Sequence, residues 1–163
     1  SVMRSTVINM RALLQDINDY TARSNLMWTS AMAENGILKV GRRTDFECHQ
    51  IEHQLGAYTD CNHGQGLAVL HPVYYRHIVE NAPEKFARMG KTVFSAEGAA
   101  AAVDALAAFI RECGLPTQLS QLRSKVEITP ELLRQVADST NLLPNGYKQL
   151  THDEVYEILM ECL

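Results

Sequence analysis

Three of the six histidines fall between Asp45 and Gly64, in the stretch DFECHQIEHQLGAYTDCNHG, and this is where the chain gathers residue types suited to chemistry. Positions four apart on an α-helix share a face about 6 Å apart, so His49 and His53 form a chelating pair. Gly56 and the polar run Thr59-Asp60-Cys61-Asn62 can end that helix and turn the chain, which returns His63 to the same face at the start of the next helix. Three imidazoles can then converge, and imidazole suits zinc, iron, nickel and copper alike. Gly64 would let the backbone pass close to a ligand or a neighbouring helix. The competing reading of two histidines at this spacing is a solvated polar patch or a hydrogen-bonded core pair.

Two other chemistries can be drawn from the same residues. His49-Gln-Ile-Glu52-His53 matches H-x-x-E-H, a zinc peptidase signature with both histidines on the metal and Glu52 as base, although a Glu on a polar helix face is ordinarily just solvated. Asp45, His49 and His53, at steps of four, with His63, also make a self-contained site of one Asp and three His. Against that, Thr44 and Glu47 form a capping box, which makes Thr44 the N-cap and leaves Asp45 in the first turn favouring the helix dipole.

The elements that must position these groups are helices. Apolar residues from Val2 to Ile17 recur at steps of three and four. Asp19-Tyr20 opens a second helix through Ala33, with Leu26, Met27, Ser30 and Ala31 on its expected buried face, Met27-Trp28 expected in a core or interface, and Asn35-Gly36 as its stop. Leu38 to Arg43 is a connector. Beyond His63 a long apolar segment runs through His71-Pro72, where Pro72 should kink rather than stop the helix. Pro83 starts a short helix, Ser95 is the expected cap of an alanine-rich one, and Gly114-Leu-Pro116 ends it. Thr129-Pro130 and the capping box Thr151-His-Asp-Glu154 open the last two helices. With no internal repeat or linker, residues 1–163 form a single all-α domain, a helical bundle.

Composition bounds the partners. A hydrophobic share of 46% and a charged share of 21% are those of an ordinary globular fold. A net charge of −4, with no basic block beyond Arg42-Arg43, argues against nucleic acid and anionic membrane surfaces. The most apolar run, Ala96 to Ile110, is too short and too charged to span a bilayer, with Glu97, Asp104 and Arg111 forming a polar stripe. The four cysteines lack C-x-x-C spacing and read as reduced thiols of a cytoplasmic protein, Cys48 and Cys61 as small buried groups.

Three strings together carry a resemblance: Ala22-Arg-Ser-Asn-Leu-Met-Trp28-Thr-Ser-Ala-Met-Ala-Glu-Asn-Gly36, then His49-x-x-x-His53-x-Leu55-Gly56-Ala57, then His63-Gly64-x-x-Leu67-Ala68-x-x-x-Pro72. They closely resemble the C-terminal helical domain of the iron-type (group III) alcohol dehydrogenases, in particular the NAD(P)H-dependent butanol dehydrogenase branch. In that family a divalent metal, iron or zinc, is held by one Asp and three His and polarises the oxygen of an alcohol or aldehyde, while hydride moves to or from the nicotinamide. The resemblance implies that His49 and His63 are metal ligands and that His53 lies near nicotinamide and substrate, with a catalytic, cofactor-binding or merely orienting role. His71 and His77 match no ligand position and are expected to be structural.

The departures are equally informative. The family's remaining ligands, an Asp and a His four apart, are expected upstream of Ser1, and the dinucleotide-binding domain with its glycine-rich loop is expected to be missing, since none of the nine glycines adjoins another. The chain is therefore expected to be a fragment, inactive alone, whose uncovered apolar surface pairs copies into a homo-oligomer. A small H-x-x-E-H metallopeptidase and a non-catalytic helical interaction module are the alternatives.

Overall fold

The apolar steps of three and four become eight α-helices and no strand in the computed structural model, which describes residues 1–163. The helices are α1 (Val2–Gln15), α2 (Tyr20–Glu34), α3 (Glu47–Thr59), α4 (His63–Ile78), α5 (Pro83–Met89), α6 (Ala99–Glu112), α7 (Pro130–Ser139) and α8 (His152–Glu161). No single helix is long and apolar enough to cross a membrane. Helix α4 is central: α3, α6 and α8 all pack on it, and α7 bridges α3 and α8. Their apolar stripes close one core, in which Ile51 and Leu55 of α3 meet Leu70, Tyr74 and Ile78 of α4, Leu133 and Val136 of α7, and Ile158 and Leu159 of α8.

Local signals that depend only on neighbouring residues are realised. Asp19 accepts a hydrogen bond from the Ala22 N–H at 2.9 Å and caps α2. Thr129 caps α7 ahead of Pro130, and Thr151 with Glu154 forms the capping box of α8. Helix α4 continues through Pro72, which is buried.

Four expectations are corrected. Thr44 is exposed and caps nothing: Asp45 Oδ1 accepts from the Glu47 N–H at 3.0 Å, an Asx turn that opens α3 two residues later. Gly56 lies inside α3, which ends at Asp60, a residue that takes the left-handed conformation with φ 54°. Ser95, also left-handed, closes a π-turn (Gly90–Phe94), and α6 starts only at Ala99. In α2 the buried residues are Ala22 and Thr29, while Met27 and Trp28 are 76% and 67% exposed. The reason is the polar seam between α1 and α2, where Ser5 bonds Thr29 and Asn25 donates to Asn9, so the apolar side of α2 faces outward.

The α1–α2 hairpin stands apart from the main core, which takes no residue from either helix. It is held by Val7 and Leu13, by α1 packing on the π-turn, and by Arg11, whose guanidinium grips the Glu112 carboxylate with bonds of 2.8 Å and covers the Phe109 ring.

Candidate metal centre

Helix α3 has two faces with different jobs. Cys48, Ile51, Glu52, Leu55 and Thr59 follow the helical period and are buried, whereas His49 and His53 stand about a quarter turn away on the side that opens to solvent. Asp60 turns the chain, Asn62 caps α4 by accepting from the Gln65 N–H at 3.1 Å, and His63 becomes the first residue of α4. A second tie steadies the corner, because the Lys125 N–H donates to the Thr59 carbonyl at 2.9 Å.

The three expected imidazoles do come together. Ring centroids lie 5.6 Å apart for His49 and His63, 5.5 Å for His53 and His63, and 6.2 Å for His49 and His53. Two imidazoles on one zinc at ordinary bond lengths have centroids roughly 5 Å apart, so the His49–His63 and His53–His63 separations are both close to a ligating one. His53 and His63 are exposed and His49 is half-buried, which leaves the cluster open on its outer side.

A tighter donor set also exists. Ligand atoms of Glu52, His53 and His63 all lie within 4.8 Å of one another, and this set omits His49. Glu52, however, is only 2% exposed and its Oε2 is bonded to Nδ1 of His63. With Nδ1 engaged by Glu52, Nε2 is the nitrogen of His63 that remains free for a ligand. Glu52 is thereby a partner of a histidine inside the fold rather than a group facing the open side. This overturns its expected place on a solvated face.

The fit to a divalent metal rests on the chemistry of these donors. A metal needs neutral imidazoles, and burial, followed by the nearby charges of His71, His63 and His53, holds His49 below the ordinary histidine pKa. The flanking thiols are poorer donors, since burial pushes both Cys48 and Cys61 up and favours the neutral form.

Three features were missed in the sequence. Gly66, not Gly64, makes the close approach: a Cβ at Gly66 would meet Glu52 Oε1 at 2.7 Å, whereas one at Gly64 meets nothing nearer than 3.6 Å. His71 joins the cluster as a fourth ring, 6.0 Å from His49, with Nδ1–H donating to the Leu67 carbonyl at 2.9 Å. Asp45 turns away from the imidazoles and accepts the Tyr74 hydroxyl, which removes the one-Asp, three-His site. A signal for Glu52 did exist, because it lies four after Cys48 and three before Leu55 on the apolar stripe. His77 is structural as expected, bonding Glu161 of α8 at 2.9 Å.

The fold is an all-helical domain with an open imidazole cluster between α3 and α4, and comparison with known proteins assigns its family. Residues 1–163 match the model of the Fe-containing alcohol dehydrogenase family, C-terminal, and the chain belongs to that family. It is 30% identical over 175 aligned residues to "Probable NADH-dependent butanol dehydrogenase 1" of Bacillus subtilis, covering 100% of this chain and 44% of that protein. Against "NADH-dependent butanol dehydrogenase A" of Clostridium acetobutylicum the identity is 28%, covering 97% of this chain and 43% of the relative. The crystal structure of NADH-dependent butanol dehydrogenase A from Thermotoga maritima superposes with a TM-score of 0.85 at 30% identity, over 99% of this chain and 44% of that one. The chain thus spans less than half the length of the curated relatives it matches.

Proposed function

We propose that the chain is the metal-binding helical part of an NAD(P)-dependent alcohol dehydrogenase that interconverts alcohols and aldehydes, with His49 and His63 as two ligands of a divalent metal, iron or zinc. The observation that carries this is the convergence of His49, His53 and His63 at one open edge between α3 and α4. When bound, the metal supplies a Lewis acid that polarises the substrate oxygen. His49 and His63 hold it as neutral donors, His63 through Nε2. His53, exposed beside them, orients the substrate and nicotinamide or handles the hydroxyl proton. Asp and His ligands from the rest of the protein complete the shell, and a separate domain supplies the dinucleotide cradle, so the chain alone is proposed to be inactive.

The peptidase alternative is not favoured, because a general base must reach water at the metal and Glu52 is enclosed and engaged by His63. Calorimetric titration of zinc into this chain tests the reading. Weak binding that disappears in both His49→Ala and His63→Ala is expected; tight one-to-one binding would mean that a complete site lies within these residues and would overturn it.

A further inference from the structure

We infer that Glu52 is a positioning residue that fixes His63 as the Nδ1-protonated tautomer and so presents its Nε2 outward, and that Gly66 exists to make room for it. The inference rests on the metal-centre reading above, and it adds a residue that touches neither metal nor substrate.

A carboxylate is an unusual component for a helix–helix seam. Glu52 lies on the apolar stripe of α3 with 2% exposure, beside Ile51 and Leu55, which are fully buried. A charge in such a place is costly unless a partner is held close. That partner is the Nδ1–H of His63, the first residue of the facing helix, eleven positions along the chain. The ring itself is 54% exposed, and Glu52 is the group hydrogen-bonded to it.

Gly66 provides the space. It sits three residues after His63, one turn along α4 and buried, and a Cβ there would meet Glu52 Oε1 at 2.7 Å, Cγ at 3.0 Å and Cδ at 3.3 Å. Its backbone is an ordinary α-helical turn, so the absence of a side chain is required by the neighbour and not by the backbone conformation. Carboxylate, imidazole and glycine thus form one unit: the glycine admits the carboxylate, the carboxylate holds the proton on one ring nitrogen, and the other nitrogen is left bare.

Histidine 15N–1H correlation spectra of the metal-free chain, at a pH of about 8 where a free histidine is neutral, read the tautomer directly. In the parent, His63 is expected as the Nδ1–H form, the minority tautomer of free imidazole. Glu52→Leu, which keeps the bulk but offers no acceptor, and Gly66→Ala, which displaces the carboxylate while keeping it, should both return His63 to a mixture dominated by Nε2–H. Zinc binding should weaken about 10–100-fold in each, the usual effect of removing such a partner. Because the two variants perturb Glu52 from opposite sides, a folding defect in one leaves the other to decide.

An Nε2–H tautomer in the parent, or a tautomer unmoved in a folded variant, would overturn the inference. Complete loss of zinc binding in Glu52→Leu with Gly66→Ala unaffected would overturn it too, by making Glu52 a ligand. A parent that has the Nδ1–H tautomer but binds zinc tightly and one-to-one would instead leave Glu52 positioning His63 and refute the reading of these residues as half of a metal site.

Discussion

Tyr74 of α4 donates its buried hydroxyl to both carboxylate oxygens of Asp45, at 3.0 and 2.9 Å, and so ties the entry of α3 to the centre of the bundle. The same carboxylate starts α3 by accepting from the Glu47 N–H, which makes Asp45 a structural hub and not a fourth donor for the imidazoles. Burial, and next the charge of Asp45, push the Tyr74 phenol well above its ordinary range, so it remains a donor at every working pH.

Tyr74→Phe should therefore destabilise the fold by about 1.5–3 kcal/mol, the worth of a hydrogen bond to a charged group, without changing zinc binding. Urea denaturation and a zinc titration on the same variant check this. Equal loss of zinc affinity would mean that Asp45 belongs to the site after all.

Stability should rise with pH through the range below about 6.5, the unperturbed histidine value. Burial holds both His49 and His71 below that value in the folded chain. The unfolded chain then binds more protons in this window, so folding is favoured as pH increases and the gain is complete above the unfolded pKa. Glu47 acts with the opposite sign at lower pH, because burial raises its carboxyl and the unfolded state releases that proton first. Urea midpoints measured from about pH 5 to 7.5 in a Glu47→Gln background isolate the histidine effect; a flat profile there would contradict it.

His53→Ala, made in the complete protein, should keep the metal and lose turnover, whereas His49→Ala and His63→Ala should lose both. Metal content by elemental analysis and rates of alcohol oxidation separate the roles. His77→Ala should leave metal content unchanged and cost no more than about 1 kcal/mol, because its partner Glu161 is half-exposed.

Gly90→Ala tests the close contact between the π-turn and α6. An added Cβ would stand 2.8 Å from the Ala102 Cβ and 2.9 Å from the Ala96 carbonyl oxygen, backbone and short side chains that cannot swing aside. Overpacking of this kind costs about 1–3 kcal/mol, which should lower the midpoint of thermal unfolding by several degrees.

What could be read in the sequence and what could not divides along a physical line. Thr129, Thr151 and Asp19 bond to backbone groups three residues away, so their roles are local and legible. The His49–His53 pair is likewise fixed by helix geometry alone. The buried side of α2 was misread because it depends on the partner: Ser5 and Asn9 of α1 select Thr29 and Asn25, and Trp28 is turned outward. Glu52 was misread for the same reason, since its burial makes sense only once His63 and Gly66 are known to face it. Thr44 fits a capping pattern with Glu47, but the residue that starts α3 is Asp45, whose carboxylate is also held by Tyr74, 29 residues further on.

The separateness of the α1–α2 hairpin from the main core has a kinetic consequence. Its outer attachments are few, chiefly Arg11 on Glu112 and Phe109 and the packing of α1 on the π-turn, while α3, α4, α7 and α8 share one continuous interior. Amide protons of α1 and α2 should exchange with deuterium by opening of the hairpin alone, at a free energy well below that of global unfolding, while those of Ile51, Leu70 and Leu133 wait for the whole chain to unfold. The molecule would then behave as two cooperative units of unequal strength, with the imidazole cluster carried on the slower one.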